Sequence, residues 1–311
     1  MASLFWRVEG SANRRGFCTR WVMVPKVSII IPTYRRITIL RKALNSILQQ
    51  TYQDFEAIVM DDHSEDEGRT KRMVDSLGDD RFRYVYLDAK KGPAGARNAA
   101  LPFCRGKYIS FLDSDDLLRP QKLEKQVEIL EREPDVGMVY SDEYVMSSDG
   151  RLSPEPVRVH RVPPLPSGRI AREFFSESFI GIDTVTLRKS VFIEMKGFDE
   201  KMIRNHDDDL WFRLMLKHKV VCSNYPAAIR RQHPGNISLD RTKMVYYQLQ
   251  CIIKYIRMYP EFMEGNLVIV KQRLRSIMFG YVKSRLRDKM PPSTKVVLAY
   301  VETLLRLRNL G

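Results

Sequence analysis

The sequence predicts an α/β fold built on a mostly parallel sheet with helices on both faces. Three observations predict it. Short, continuous apolar runs rich in Val and Ile recur along the first half of the chain, as buried strands require. Each is followed by a segment with apolar positions at helical spacing. The connections between them are short, so strand and helix alternate in the manner of a crossover-linked parallel sheet.

The elements follow in order. "VSIII" (27–31) reads as a buried strand, and "ITILRKALNSILQQ" (37–50) as a helix with Ile39, Leu40, Ala43, Leu44, Ile47 and Leu48 on one face. "FEAIVM" (55–60) is a second strand, followed by a polar helix through 77. "FRYVYL" (82–87) is a third, and "PAGARNAAL" opens a helix whose Pro93 stands near its start, where proline is tolerated. "KYISFL" (107–112) is the fourth strand, "PQKLEKQVEILERE" (120–133) a helix, and "VGMVYSDEYV" (136–145) closes this half. Residues 146 to 168 are rich in Pro, Ser and Gly and read as a long loop of the kind used as a lid or binding loop. Beyond it, 181–189 reads as a strand, 205–219 as a helix with aspartates at its start, and 220–233 as extended chain. From Tyr246 onward the pattern is helical, with breaks at Pro260 and Pro291–Pro292.

Composition bounds the function. Of 311 residues, 44% are hydrophobic and 29% charged, enough for a sizeable core. The four cysteines (Cys18, Cys104, Cys222, Cys251) are far apart, which argues against a disulfide framework or a zinc site and suits a reducing, cytoplasmic setting. No apolar run reaches the ~18 residues that cross a bilayer. The net charge of +14 is uneven. Residues 240–311 hold 14 Lys/Arg and 5 Asp/Glu, giving +9; residues 1–22 hold 4 and 1, giving +3; the remainder contributes +2. The chain thus divides into a basic N-terminal extension (1–24) outside the fold, a catalytic body (25–239) and a basic helical region (240–311). The last is where an anionic membrane surface or another acidic partner would bind. No nucleic-acid-binding motif accompanies the charge, so nucleic acid is not expected.

In a parallel sheet, ligands bind at the carboxyl ends of the strands. There the sequence places "PTYRR", "DDHSED", "DAKKGPAGARN" and "DSDD". Taken alone, "DSDD" is no more than a helix-capping turn, and the aspartates of "HDDDLW" suit a solvated helix N-terminus. Taken together they change meaning. Asp-x-Asp offers hard oxygen ligands to Mg²⁺ or Mn²⁺. "GPAGARN" supplies a glycine turn, a helix start and Arg97 for a diphosphate. Asp62 offers an acceptor to a base or ribose, and "HDDDLW" a base separate from the metal.

These motifs resemble family 2 glycosyltransferases of the GT-A fold over roughly residues 26–240. "VSIIIPTYRR", "SILQQTYQDFEAIVMDDHSED", "GPAGARNAAL", "YISFLDSDDLLRP", "GFDE", "HDDDLW" and "HPGNIS" occur in the family's order. The resemblance implies a GT-A sheet flanked by helices with a C-terminal helical extension. It also implies inverting transfer from a nucleoside-diphosphate sugar, usually a UDP-sugar, to a glycan or lipid-linked acceptor in bacterial surface-polysaccharide assembly. By the same resemblance Pro32, Thr33 and Tyr34 line the nucleotide pocket with Arg36 beside them. Asp62 reads the base, Arg97 approaches the diphosphate, Asp113 the ribose and Ser114 its neighbour. Asp115 and His233 hold a divalent cation, Mn²⁺ or Mg²⁺, and Asp207 is the catalytic base. The motif departs from the family here, reading His206-Asp207-Asp208-Asp209, so register with Leu210 and Trp211 selects Asp207 over Asp208. A sugar nucleotidyltransferase would want a glycine-rich loop after the first strand. A dinucleotide oxidoreductase would want GxGxxG there. A non-catalytic basic binding protein would leave both acidic clusters unexplained.

Overall fold

A computed structural model describes residues 24–157, 164–236, 239–308 and 310. Residues 1–23 of the expected N-terminal extension therefore lie outside the described residues, as do 158–163 of the long loop and Ile237–Ser238.

The first half alternates as the apolar pattern requires. β1 (Val27–Thr33), α1 (Ile37–Leu48), β2 (Phe55–Asp61), α2 (Arg69–Asp75), β3 (Phe82–Tyr86), α3 (Gly92–Ala100) and β4 (Tyr108–Phe111) follow one another. Then come β5 (Leu117–Leu118), α4 (Lys122–Arg132) and β6 (Val136–Met146). β1 is parallel to β2 and β4, and β2 to β3. The Val/Ile runs are buried on both sides because helices cover both sides. Ile30, Ile58 and Met60 face one core cluster, while Val27, Ile29, Ile31, Ala57 and Val59 face the other, with α1 and α4.

The second half departs from simple alternation. It holds α5 (Ala171–Ser176), β7 (Thr186–Arg188), α6 (Lys189–Glu194), α7 (His206–Met215) and β8 (Lys219–Arg231). The strand expected over 181–189 begins with a single 3₁₀ turn at Ile182–Thr184, and only three residues pair. That short β7 runs antiparallel between β4 and β6, and the eight strands lie in the order β3-β2-β1-β4-β7-β6-β8-β5. The long loop begins by turning back on the sheet: Leu152 bridges Met146, and Val157 N–H donates to the Glu143 carbonyl.

The C-terminal helices are α8 (Arg241–Met258), α9 (Pro260–Gly265), α10 (Leu267–Arg287) and α11 (Thr294–Arg308). The expected breaks hold: Pro260 opens α9, and Pro291–Pro292 separate α10 from α11. Helix begins earlier than expected, at Arg241, because Asp240 accepts a hydrogen bond from the Lys243 N–H and caps it. Val245, Leu249, Val270, Ile277, Tyr281 and Val296 share one core cluster with Trp211 and Phe111 of the sheet body.

Candidate active site

The carboxyl ends of β1, β2 and β4 meet the start of α3, the start of α7 and the end of β8. Most of the expected residues gather along this edge. Pro32 and Thr33 are buried as the last residues of β1, and Tyr34 follows half-buried, with the Lys90 ammonium 3.6 Å from its ring centre. That cation–π contact joins the β1 loop to the β3–α3 loop.

The two aspartates at the end of β2 are both braces. Asp61 is fully buried; its carboxylate accepts from Ser64 N–H at 2.9 Å and from the Tyr84 hydroxyl at 2.8 Å. Burial and then that hydrogen bond push the Tyr84 hydroxyl pKa up. Asp62 accepts from the N–H groups of Lys91 (2.6 Å) and Gly92 (2.9 Å) at the entry to α3. Gly92 takes a positive φ of 73°, which turns the chain so that both donors meet one carboxylate.

Arg97 is the hinge of the arrangement. Only 2% of its side chain is exposed, and it donates to Asp113 Oδ1 and, at 2.8 Å, to His206 Nε2. A guanidinium can only donate, so His206 is the acceptor, neutral, with its proton on Nδ1. Burial, together with the charges of Arg97 and Arg204, holds the His206 pKa well below the usual range. Arg97 therefore spans from the β4 loop to the residue preceding Asp207.

The β4 loop answers how so much negative charge is tolerated at a strand end. Carboxylate oxygens of Asp113, Asp115 and Asp116 lie within 4.8 Å of one another. Each has its own counterpart. Arg97 holds Asp113, while Asp115 Oδ2 meets the Arg36 guanidinium and, at 2.8 Å, His233 Nε2. Asp116 accepts from the Arg231 N–H at 2.6 Å and turns inward to Asp183. Ser114 is buried between them.

Asp183 was not singled out from the sequence, where it stood inside an expected strand. It accepts from the Asp113 N–H at 2.6 Å, and burial with neighbouring carboxylates raises its pKa to about 7. Asp116 is pushed well up for the same reasons. Behind them Lys122, fully buried, donates to Ser110 Oγ and to the Val185 carbonyl (3.2 Å), and burial lowers its pKa to about 7. Its only sequence signal was a lysine where the α4 pattern wants an inward residue.

On α7, Asn205 turns the chain in the left-handed region (φ 57°) and the three aspartates fall in the first turn. They part company at once. Asp209 is fully buried and neutralised twice, by Arg213 (2.9 Å) and by Lys254 of α8 (2.8 Å). Asp208 accepts from Asn205 Nδ2 at 2.9 Å and borders a narrow cleft with Ser178, Gln248, Tyr255 and Arg273. Asp207 is half-buried beside the Arg97–His206 contact, and desolvation followed by the Asp208 charge raises its pKa to about 7. A carboxylate poised there can accept a proton near neutrality.

The β4 loop suits a hard divalent cation. Its donors are carboxylate oxygens with one imidazole, and their mutual repulsion is what such an ion relieves. Asp115, with Asp113 and His233 adjacent, would hold it.

Comparison with known proteins gives a consistent outcome. Residues 28–195 match the family model described as glycosyl transferase family 2. The UDP-Glc:alpha-D-GlcNAc-diphosphoundecaprenol beta-1,3-glucosyltransferase WfgD of Escherichia coli is 26% identical over 268 residues, covering 83% of this chain and 94% of that protein. Among solved structures, S. aureus TarS 1-349 in complex with UDP-GlcNAc superposes with a TM-score of 0.68 at 18% identity, over 92% of this chain and 83% of that one. The mannosyltransferase PcManGT of Pyrobaculum calidifontis, in complex with GDP-Man and Mn²⁺, gives 0.63 at 17% identity, over 93% and 76%. The chain also matches uncharacterized Rickettsia glycosyltransferases, of which it spans about a third of the length. The fold of these neighbours is GT-A, and so is the fold of this chain.

Proposed function

The chain belongs to glycosyl transferase family 2, and from that premise we propose that it is a metal-dependent inverting hexosyl- or hexosaminyl-transferase. Its donor in this reading is a UDP-sugar and its acceptor a hydroxyl of a glycan or lipid-linked saccharide in surface-polysaccharide assembly. The observation that carries the proposal is Arg97. One buried guanidinium joins an acidic, cation-ready loop to the helix that bears a carboxylate with a pKa near neutrality.

The steps follow from the residues. Asp207 accepts the proton of the acceptor hydroxyl as that oxygen forms its bond to the anomeric carbon. The carbon–oxygen bond to the diphosphate breaks on the opposite face, and the electron pair leaves with the nucleoside diphosphate. Asp115, with Asp113 and His233, would hold a divalent cation, which would supply charge neutralisation for the leaving diphosphate. Asp209, already neutralised, fixes α7 against α8 and leaves proton transfer to its neighbour.

Uridine is supported by the family resemblance and by WfgD, named for UDP-Glc, while PcManGT is in complex with GDP-Man. Calorimetry with UDP, GDP and CDP, each with Mn²⁺, Mg²⁺ or EDTA, tests the reading. Metal-dependent binding of one nucleotide upholds it, and absence of binding by folded protein overturns it. Release of nucleoside diphosphate, rather than pyrophosphate, then separates transfer from nucleotidyl transfer. In this reading the enzyme works at the cytoplasmic face of a membrane. No helix among the described residues is long and apolar enough to span one.

A further inference from the structure

We propose that the outward faces of α10 and α11 form a docking surface for an anionic lipid bilayer. Apolar side chains enter the interface and Lys/Arg side chains remain at headgroup level. The inward face of α10 does not make this contact: its Val270, Leu274, Ile277 and Tyr281 are buried against the body. The opposite side of the same helix is also apolar. Val268, Phe279, Val282 and Leu286 are 70%, 73%, 45% and 74% exposed. At about 100° per residue these four fall along one line, with Arg275 among them and Lys271 and Lys283 at its edges.

α11 repeats the arrangement. Val296, Ala299, Thr303 and Leu307 face inward, while Val297, Leu298, Val301, Leu304 and Leu305 form an exposed stripe. Ten of the seventeen large apolar side chains exposed among the described residues fall within 267–308, in two helices and their connection. A helix of a water-facing surface has one apolar stripe; these have two. Something other than water therefore meets the second stripe.

Charge selects what that is. Residues 267–308 contain 10 Lys/Arg and 2 Asp/Glu, a net +8. A second copy meeting this face symmetrically would bring like charge onto like charge. An anionic bilayer answers both features at once, taking the apolar line into its interface and the basic rim at its phosphates. Neither helix has the length and apolarity to span, so the pair lies on the surface. The docking surface is independent of the transfer chemistry. Only its use, bringing the site to a lipid-linked acceptor, rests on the function proposed above.

The test is sedimentation of the full chain with vesicles of phosphatidylcholine alone and of phosphatidylcholine containing phosphatidylglycerol. The wild type is expected to partition at least about tenfold more strongly onto the anionic vesicles, and less so as salt rises. Lys283→Gln with Lys295→Gln should weaken that partitioning about 25-fold, at about fivefold per basic group. Phe279→Asp with Leu298→Asp should abolish it. Those two side chains are exposed, so the melting transition and metal-dependent nucleotide binding should persist. Failure of the wild type to bind anionic vesicles would overturn the proposal. So would aspartate variants that bind like wild type. So would a dimer in light scattering that Leu298→Asp splits while vesicles capture neither form; the stripe would then be a contact between copies. If vesicle binding stands and no nucleotide binds, the function proposed above fails while the docking surface survives.

Discussion

Two clusters of three aspartates bound the same crevice, one after β4 and one at the start of α7, and the fold treats them oppositely. In the β4 loop every carboxylate is answered: Arg97 for Asp113, Arg36 and His233 for Asp115, the Arg231 N–H and Asp183 for Asp116. On α7 the fold spends two cations on Asp209 and leaves Asp207 to desolvation. Similar composition thus yields two chemistries. A crowded, counter-charged loop can exchange its protein cations for a metal. A carboxylate with a raised pKa can take a proton.

The largest way to break this contrast is Asp207→Asn, which removes the proposed base and keeps its shape. Transfer, read as nucleoside-diphosphate release, should fall about 10³-fold while nucleotide affinity stays within twofold, roughly. Loss of nucleotide binding instead would place Asp207 with the metal loop. Next is Asp115→Ala, expected to weaken Mn²⁺-dependent nucleotide binding about 100-fold in calorimetry, leaving metal-free binding unchanged. Equal binding with and without Asp115 would take the cation away from that loop.

The pH profile sharpens the comparison further. The Asp207 pKa is raised to about 7, so its proton-accepting form disappears as pH falls through 7. The rate should drop about tenfold per pH unit below that point and level off above it. A profile flat down to pH ~5 would mean an ordinary carboxylate does the work. The smallest effect is assigned to Asp208→Asn, which keeps a partner for Asn205 and should change turnover less than about threefold. A loss like that expected for Asp207→Asn would move the base by one residue.

How much of this was legible beforehand depends on the range of the interactions. β1, β2 and β4 announced themselves because strands covered on both faces must be apolar throughout, and their order brought Asp113 and Arg97 to one edge. The second half was harder because β7 has only three residues, which pair in antiparallel register with β4 and β6. No local pattern marks so short a strand, and the 3₁₀ turn that seats Asp183 was absorbed into it. Asp183 and Lys122 are invisible for a related reason. Their roles arise from burial, which a sequence does not display for residues that normally face water. Asp62 was read as a ligand to the base. Its carboxylate accepts the two N–H groups at α3. In α10 the buried side and the exposed side are both apolar, so helical periodicity selects no single face.

Arg97 gripping Asp113 with one nitrogen and His206 with another has an energetic corollary. Sites that share one rigid cation are thermodynamically linked. Whatever free energy a donor or metal takes in loosening the Asp113 contact reappears as a changed hold on the helix that carries Asp207, and the reverse is equally true. Occupancy on one side of the crevice thereby sets the alignment of the other, which favours an ordered sequence of addition over two independent encounters.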